Sequence, residues 1–294
     1  MTAVIHNTNR LKYSFEFFPT SQIDEENEFW RVVGNLEPFE PEFFSVTYGA
    51  LGSARKKSLE TVEQLHIHTN TQIAAHLTVV DSTKADTDYV LETLWNQGIR
   101  RIVALTGDCR GEQSWNSGYH NALELIGAIK NTGDFDISVA AYPEVHPKAE
   151  SAQSDMDCLK AKFDAGADRA ITQYFFEVET FLRYRDQLAK AGIDKPVIPG
   201  ILPIHDFFKV RKFSKRCGAT IPDYYSIHFA GMEGNVAAQH QLALDLALEL
   251  CEKLVEEGVD QLHFYTLNRS DLVLQIVKEL SYKIEFDNNL QQVA

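Results

Sequence analysis

The sequence predicts a (β/α)8 barrel formed by one domain that spans residues 1–294. Short runs of β-branched and aromatic residues alternate with longer amphipathic segments along the whole chain, which is typical of β–α units around a parallel sheet. Eight such runs occur, most of them about 30 residues apart, and this number and spacing match the barrel. No linker rich in Pro, Gly or Ser separates them. The alternative is an open doubly wound sheet, which usually carries G-x-G-x-x-G after its first strand, a motif that this sequence lacks.

Each predicted strand is a short apolar or aromatic run bounded by turn signals. Four of the predicted helices end at a glycine, the usual C-terminal signal, at Gly98, Gly166, Gly192 and Gly258. An inserted helix or loop is predicted at Cys217–Asn235, before the final long helix. The predicted strands are Lys12–Pro19, Phe43–Gly49, Ile73–Val80, Arg101–Asp108, Asp136–Pro143, Arg169–Phe176, Pro196–Pro203 and Gln261–Asn268, and the predicted helices include Asp24–Leu36, Thr83–Gln97, Asn121–Lys130, Ser151–Ala165 and Val178–Ala191.

The composition narrows the classes of partner. Hydrophobic residues make up 44% of the chain and charged residues 24%, as in a globular protein. The net charge of −14 argues against nucleic acid, which requires clustered Lys and Arg, although local basic groups could still bind an anionic cofactor. The cysteines at 109, 158, 217 and 251 are far apart, which indicates a reducing compartment. Without a signal-peptide core or an apolar run of roughly 18 residues, a cytoplasmic protein that does not enter a membrane is expected.

Polar residues fall at the C-terminal ends of seven predicted strands, the end at which barrel enzymes build their active sites. Singly, each could be a satisfied core group or a loop cap, but the joint pattern indicates an active-site rim. Asp108, which follows a glycine, could equally be a helix N-cap or a turn residue. The set is Glu16, Thr47, Tyr48, His76, Thr78, Thr106, Gly107, Asp108, Tyr142, Glu144, His146, Gln173, Tyr265, Asn268 and Arg269.

Glu16 is the most unusual of these residues. It lies in the run Tyr13–Pro19, which is rich in aromatic residues and predicts a buried strand stopped by proline. Burying an ionised carboxylate without a partner is costly, so Glu16 is expected either to have a partner or to take up a proton. A glutamate that holds its proton near neutral pH can act as a general acid.

The sequence shows neither an obvious nucleophile nor a metal site. His76 and His146 have no second ligand at metal-site spacing in the same element, and G-x-S-x-G and P-loop motifs are absent. We therefore expect no metal and favour an organic cofactor. A cofactor-free barrel lyase or aldolase stays open as an alternative, although it would need a lysine at a strand end and none is predicted there. A non-enzymatic scaffold is the third possibility.

Seven segments form a consistent series along the chain: Ser14–Pro19, Ser45–Ala50, Ala75–Thr78, Ala141–Pro147, Arg169–Gln173, Pro199–Pro203 and Phe264–Arg269. Together they resemble the bacterial type of the methylenetetrahydrofolate reductase family. The resemblance covers nearly the whole chain in the family's order. It implies a (β/α)8 barrel that binds FAD non-covalently.

The resemblance also implies a ping-pong reaction. NADH or NADPH would pass hydride to FAD, and after the nicotinamide leaves, hydride would pass to 5,10-methylenetetrahydrofolate to give 5-methyltetrahydrofolate for methionine synthesis. Glu16 would be the acid that helps to open the folate's five-membered ring, and Asp108 would lie by the flavin and the pterin. Gln173 would bind the pterin or the nicotinamide amide, and Phe213 would stack on the bound substrate. A homo-oligomer, dimer or tetramer, is also implied.

The remaining ligand contacts implied by the resemblance are spread over several elements. Lys162 would place positive charge at the FAD diphosphate, and Asp155 could face the same ligand, although by sequence alone both fit an exposed helix surface. The implied FAD residues are Thr47, Tyr48, Ala50, His76, Thr106, Gly107, Asp108, Tyr119, Tyr142, His146, Asp155, Cys158 and Lys162. The implied substrate residues are Glu16, Thr47, Asp108, Gln173, Lys209, Phe213 and Arg269.

Four positions depart from the family's pattern. Thr106 stands where arginine is common, and Cys158 and Ala161 stand where asparagine and arginine are common. Lys209 replaces a glutamine expected near the substrate. Because the diphosphate site loses polar contacts, we expect FAD to be retained weakly.

Overall fold

The computed structural model describes residues 11–20, 23–48, 52–107 and 118–293, and within these ranges it contains nine parallel strands in one sheet. Each predicted strand is present, with a C-terminal end a few residues earlier than expected. The sequence-predicted positions Gly49, Ala50 and Asp108 lie outside the described residues. The strands are β1 (Lys12–Phe17), β2 (Phe43–Val46), β3 (Ile73–Thr78), β4 (Arg101–Leu105), β5 (Asp136–Ala141), β6 (Arg169–Thr172), β7 (Val197–Ile198), β8 (Gly200–Ile201) and β9 (Gln261–Tyr265).

The predicted seventh strand, Pro196–Pro203, is divided into β7 and β8 at Pro199. β7 pairs with β6, and β8 pairs with β9, which itself pairs with β1. Proline has no N–H for a strand ladder, whereas its carbonyl here accepts a hydrogen bond from the His263 N–H at 3.0 Å. The divided strand therefore joins the two ends of the sheet, and the predicted (β/α)8 barrel is confirmed with this one change.

The helices alternate with the strands as predicted, and all five helices that the sequence located are confirmed to within two residues at each end. The glycines after α3, α5, α6 and α9 all have positive φ, as the predicted C-terminal signals require. Cys217–Asn235 contains one short helix, α8. The helices are α1 (Ile23–Leu36), α2 (Gly52–His68), α3 (Lys84–Asn96), α4 (Ala122–Thr132), α5 (Ala152–Asp164), α6 (Val178–Lys190), α7 (Phe207–Cys217), α8 (Asp223–Phe229), α9 (Val236–Glu256) and α10 (Asp271–Val293).

Side chains alternate along β1 between two environments. Phe15 and Phe17 are fully buried in the large core between the sheet and the helices, where Phe17 meets Phe29 of α1 with ring centroids 5.4 Å apart. Ser14 and Glu16 have the opposite parity, so they point into the barrel. The apolar packing inside the barrel is a separate, smaller cluster of Phe43, Ala74, Val103, Ile171 and Ile198.

No helix within the described ranges is long and apolar enough to cross a membrane.

Candidate active site

A cavity of about 350 Å³ opens at the C-terminal end of the barrel strands. Its volume is in the lower part of the range of roughly 300–1,000 Å³ that is typical of small-molecule sites. Aliphatic side chains from β4, β5 and β6 form its floor, and polar and aromatic side chains form its walls. Nine of the sequence-predicted site residues line it: Glu16, Thr47, Tyr48, His76, Thr78, Tyr142, Gln173, Phe213 and Tyr265.

The carboxylate of Glu16 lies between two histidines. Its side chain is 13% exposed, and Oε2 lies 3.5 Å from Nε2 of His76 and 3.9 Å from Nε2 of His263. β1 places Glu16 here because its neighbours are β2 and β9, and Glu16 is in register with Tyr265 of β9. The partner that the sequence required of a buried carboxylate is therefore an imidazole on either side.

His76 is buried within β3. The pKa of His76 is lowered to about 4, chiefly by burial; the negative charge of Glu16 partly opposes this shift, and the nearby His263 adds a smaller contribution in the same direction as burial. The imidazole is consequently neutral at pH 7. Its Nε2 has no hydrogen-bond partner among the residues that the structure describes, so it is free to meet either Glu16 or a ligand.

His263 is a part of the site that the sequence did not reveal as a site residue. It is fully buried in β9, and its Nδ1 lies 2.8 Å from Oγ of Ser14 on the paired strand β1. The available signal was its parity, because it lies two residues before Tyr265 on the same face of the strand. Its contact with Glu16 could not be read from the sequence, since the two residues lie in the first and last strands of the barrel.

Tyr265 and Gln173 form the wall beside Glu16. The hydroxyl of Tyr265 donates to the Thr172 carbonyl at 2.7 Å, and burial, followed by the negative charge of Glu16, raises the pKa of Tyr265 well above its usual value. Gln173 accepts a hydrogen bond from the Tyr174 N–H through its Oε1 at 3.0 Å. Because Oε1 is already engaged, the amide nitrogen of Gln173 is the group that can bind a ligand acceptor.

The edge of the cavity at β4 and β5 carries several of the predicted cofactor residues. Gly107 has φ of +85°, and a Cβ at this position would lie 2.9 Å from Cβ of Thr78, so a larger residue does not fit. Nζ of Lys162 donates to the carbonyl of Ala140, a cavity residue, at 3.2 Å. Asp155 accepts from the His146 N–H at 2.9 Å, and the His146 ring packs edge-on against Tyr142. This geometry puts one cation beside the end of β5.

Three predicted cofactor residues lie away from the cavity walls. Tyr119 donates to Asp88 at 2.7 Å, and burial together with this bond raises the pKa of Tyr119 to about 12. Thr106 and Cys158 are exposed. Ala50 and Asp108 belong to the parts of the chain that are not described, so their predicted roles stay predictions.

The predicted substrate residues Lys209 and Arg269 lie on the outer rim and do not line the cavity. The Lys209 side chain is 82% exposed and pairs with Asp206 at 3.2 Å. Arg269 pairs with Asp271 at 3.0 Å. Both would have to leave or share an acidic partner before they could bind a substrate.

The cavity favours some kinds of chemistry over others. No lysine lines it within the described ranges, so it offers no Schiff-base nucleophile of the kind that an aldolase uses. In the same ranges no group of three or more His, Cys, Asp or Glu could hold a metal ion. What the cavity does offer is one nearly buried carboxyl group above an apolar floor, an arrangement suited to proton donation beside a flat ring system.

The family model for methylenetetrahydrofolate reductase matches residues 2–281. Two curated 5,10-methylenetetrahydrofolate reductases, from Salmonella typhimurium and Escherichia coli, are 41% and 40% identical to this chain over 274 residues, which is 93% of this chain and 92% of each relative. A solved structure of an uncharacterized protein from Clostridium thermocellum that binds two copies of 5-methyl-5,6,7,8-tetrahydrofolic acid is similar with a TM-score of 0.62, covering 94% of this chain and 96% of that one. At 13% identity, this last likeness concerns the fold alone. The chain belongs to the methylenetetrahydrofolate reductase family, a family of oxidoreductases.

Proposed function

We propose that the protein reduces 5,10-methylenetetrahydrofolate to 5-methyltetrahydrofolate, with FAD as the bound hydride carrier and NADH or NADPH as the donor. The family membership supports the folate substrate. The observation that carries the proposal is the position of Glu16, a nearly buried carboxyl group at the wall of an apolar-floored cavity. A barrel lyase or aldolase is not favoured, because the described cavity lining contains no lysine.

The residues around the cavity fit a flavin. An isoalloxazine ring needs a flat apolar surface with polar groups at its edge, and Val103, Leu105 and Ile171 supply such a surface beside Thr47 and His76. The unpartnered Nε2 of the buried His76, with no hydrogen bond to any described residue, is available to a ligand. Lys162 provides a cation at the end of β5, where the diphosphate would lie. When bound, FAD would supply the capacity to accept and return a hydride.

Glu16 is proposed to donate a proton to a nitrogen of the folate's five-membered ring, which opens the ring and leaves an electrophilic carbon for hydride. The aliphatic floor of the cavity and the neutral imidazole of His76 keep water away from this step. Gln173 would bind the pterin or the nicotinamide amide through its side-chain nitrogen. Phe213, an aromatic residue in the cavity wall, would stack on the bound ring.

The experiment that tests this function separates the two half-reactions of the FAD-loaded protein. In the wild-type protein, NADH should bleach the visible flavin band and methylenetetrahydrofolate should restore it. Glu16→Gln keeps the size of the side chain but removes the acid, so the band should still bleach with NADH, while its recovery with folate should slow by about 10²–10⁴-fold.

Glu42→Gln is the matched control, because Glu42 lies at the opposite end of the barrel, 3.4 Å from Lys12. It should leave both half-reactions unchanged. A wild-type protein that binds no FAD, or a Glu16→Gln protein with wild-type folate reduction, would contradict the proposed function.

Three further parts of the proposal concern the setting of the reaction. They are a homo-oligomeric assembly, a cytoplasmic location and a contribution of methyl groups to methionine synthesis. Family membership supports all three. Sedimentation of the purified protein would test the first of them.

A further inference from the structure

We propose that His263, anchored by Ser14, is a positioning residue that receives the carboxylate of Glu16 once Glu16 has given up its proton. This inference rests on the proposed role of Glu16 and names the groups beneath it in the barrel. It assigns a task to two polar residues that lie deeper in the barrel than the cavity.

The geometry fixes the orientation of the His263 ring. Ser14 and His263 are directly paired in the register of β1 and β9, and Oγ of Ser14 lies 2.8 Å from Nδ1. The ring of Phe43 stacks on the imidazole with centroids 5.8 Å apart, and Tyr265 meets it edge-on at 5.3 Å. With one face stacked on Phe43, an edge-on contact to Tyr265 and Nδ1 held by Ser14, the ring directs Nε2 toward Glu16.

The Ser14 contact also selects a tautomer. A neutral imidazole carries one N–H and one acceptor nitrogen. If Nδ1 accepts from the Ser14 hydroxyl, the proton is on Nε2, and this N–H faces the Glu16 oxygen 3.9 Å away. The opposite tautomer would turn two lone pairs toward each other, so the carboxylate favours the first arrangement.

The Nε2 atom of His263 makes no other polar contact within the described structure. It is buried and lacks a hydrogen-bond partner among the described residues. The separation of 3.9 Å is longer than a hydrogen bond, but rotation about the last bond of the Glu16 side chain, which is a soft torsion, can shorten it. An N–H donor stabilises a carboxylate more than a carboxylic acid, so the contact favours Glu16 after proton transfer.

Three titratable groups of the described structure face the Glu16 carboxyl group. His76 of β3 is neutral at pH 7 because burial lowers its pKa to about 4. Tyr265 of β9 has a raised pKa and stays protonated, and its hydroxyl is occupied by the Thr172 carbonyl. His263 is the third group and the one whose N–H the Ser14 contact directs at Glu16.

The test measures the pH dependence of the folate half-reaction in His263→Phe, which keeps a ring but removes both nitrogens. Without the N–H, Glu16 should hold its proton more tightly. The pH at which folate reduction falls to half should therefore rise by about one unit, and the plateau rate should fall about tenfold. Bleaching of the flavin band by NADH should keep its wild-type rate.

A second readout does not require turnover. The carboxyl band of Glu16 can be identified in the infrared difference between the wild-type protein and Glu16→Gln. Its titration midpoint should move upward in His263→Phe by the same amount as the kinetic midpoint. His263→Gln restores an amide N–H near the position of Nε2 and should recover most of the shift, and Ser14→Ala, which frees the tautomer, should show a smaller shift of the same sign.

Ser45→Ala is the matched control. Ser45 is buried and in register with Glu16 on β2, and its hydroxyl bonds to no described residue. Its removal should leave both midpoints unchanged.

Several outcomes would overturn the inference. Wild-type midpoints in a folded His263→Phe protein would do so, as would a shift of the same size in Ser45→Ala. If His263→Phe does not fold, His263→Leu takes its place with the same expected shift, and unchanged midpoints in His263→Leu and in Ser14→Ala would overturn the inference. A failure of the proposed function can be told apart from a failure of this inference. In that case the wild-type protein would not reduce folate, but the infrared titration would still report on the contact of Glu16 with His263.

Discussion

The polar side chains at the two ends of the barrel interior differ in whether they are paired. At the N-terminal end of the strands, Asp136 of β5 accepts a hydrogen bond from Arg169 at 2.6 Å and lies 3.7 Å from Arg101, so the charges are paired. At the C-terminal end, Glu16 approaches two histidines whose Nε2 atoms have no hydrogen bond to any described residue. Both ends are built on the same strands.

This difference separates stability from function. A buried polar group without a partner costs about 1–3 kcal/mol, whereas a paired charge beside the barrel floor can contribute to stability. Natural proteins accept such a cost at functional sites, where the free group is available to a ligand. Mutations at the N-terminal end of the strands, called the lower end below, should therefore change mainly the free energy of unfolding. Mutations at the C-terminal end, called the upper end, should change mainly ligand binding, protonation and turnover.

The largest expected effect on stability comes from the protonation of His76 at the upper end. Burial lowers the pKa of His76 from 6.5 to about 4, so between these values the unfolded chain takes up a proton that the folded protein refuses. Stability should therefore fall as the pH drops from about 6.5 toward about 4, by up to about 3 kcal/mol from this residue. His76→Gln should remove that part of the pH dependence, as measured by urea unfolding at pH 7 and pH 4.5.

His66→Gln is the control for this measurement, because His66 is exposed in α2. It should keep the wild-type loss of stability on acidification. Equal pH dependence in His76→Gln and the wild-type protein would show that the upper end does not carry this cost.

The next effect is at the lower end. Asp136→Asn removes the negative charge between Arg101 and Arg169 and leaves two cations beside each other, so the free energy of unfolding should fall by about 1–3 kcal/mol. Asp134→Asn is the same chemical change two residues earlier at an exposed position and should cost less than about 0.5 kcal/mol. Urea unfolding of both variants measures the difference. Folate reduction should be unchanged in both, and a loss of turnover in a stable Asp136→Asn protein would break the comparison between the two ends.

The sequence predicted the barrel well because each strand is a local pattern, and local patterns need no knowledge of the rest of the chain. Pro199 could be seen in the sequence, but the sequence did not show that the residues on its two sides pair with different strands. That outcome depends on how the sheet closes. Glu16 and Gln173 were found because strand ends can be recognised along the sequence.

The contact between Ser14 and His263 could not be predicted in this way, because the two residues are 249 positions apart and only barrel closure brings them together. The reach of Lys162 to the Ala140 carbonyl belongs to the same class, since the direction of a long side chain depends on its packed surroundings. Sequence patterns therefore place residues at an end of the barrel, and the structure decides which of them touch.

The smallest expected effect is a change in FAD affinity at the outer edge of the upper end, on α5. Cys158 is exposed on α5, one turn before Lys162, at a position where the resemblance noted in the sequence implies asparagine. Cys158→Asn adds amide N–H donors on the helix face that carries the Lys162 cation. The dissociation constant of FAD should fall about two- to fivefold, which corresponds to one additional weak hydrogen bond of about 0.5–1 kcal/mol, as measured by fluorescence titration of the apoprotein.

Ala189→Asn, at an exposed position of α6, introduces the same side chain away from this edge and should leave FAD binding unchanged. If Cys158→Asn also leaves it unchanged, α5 does not border the diphosphate, and the bond from Lys162 to Ala140 is then a structural contact like those at the lower end. If affinity rises only in Cys158→Asn, the polar edge of the cofactor site extends from the end of β5 onto α5. The functional character of the upper end would then reach one helix beyond the cavity itself.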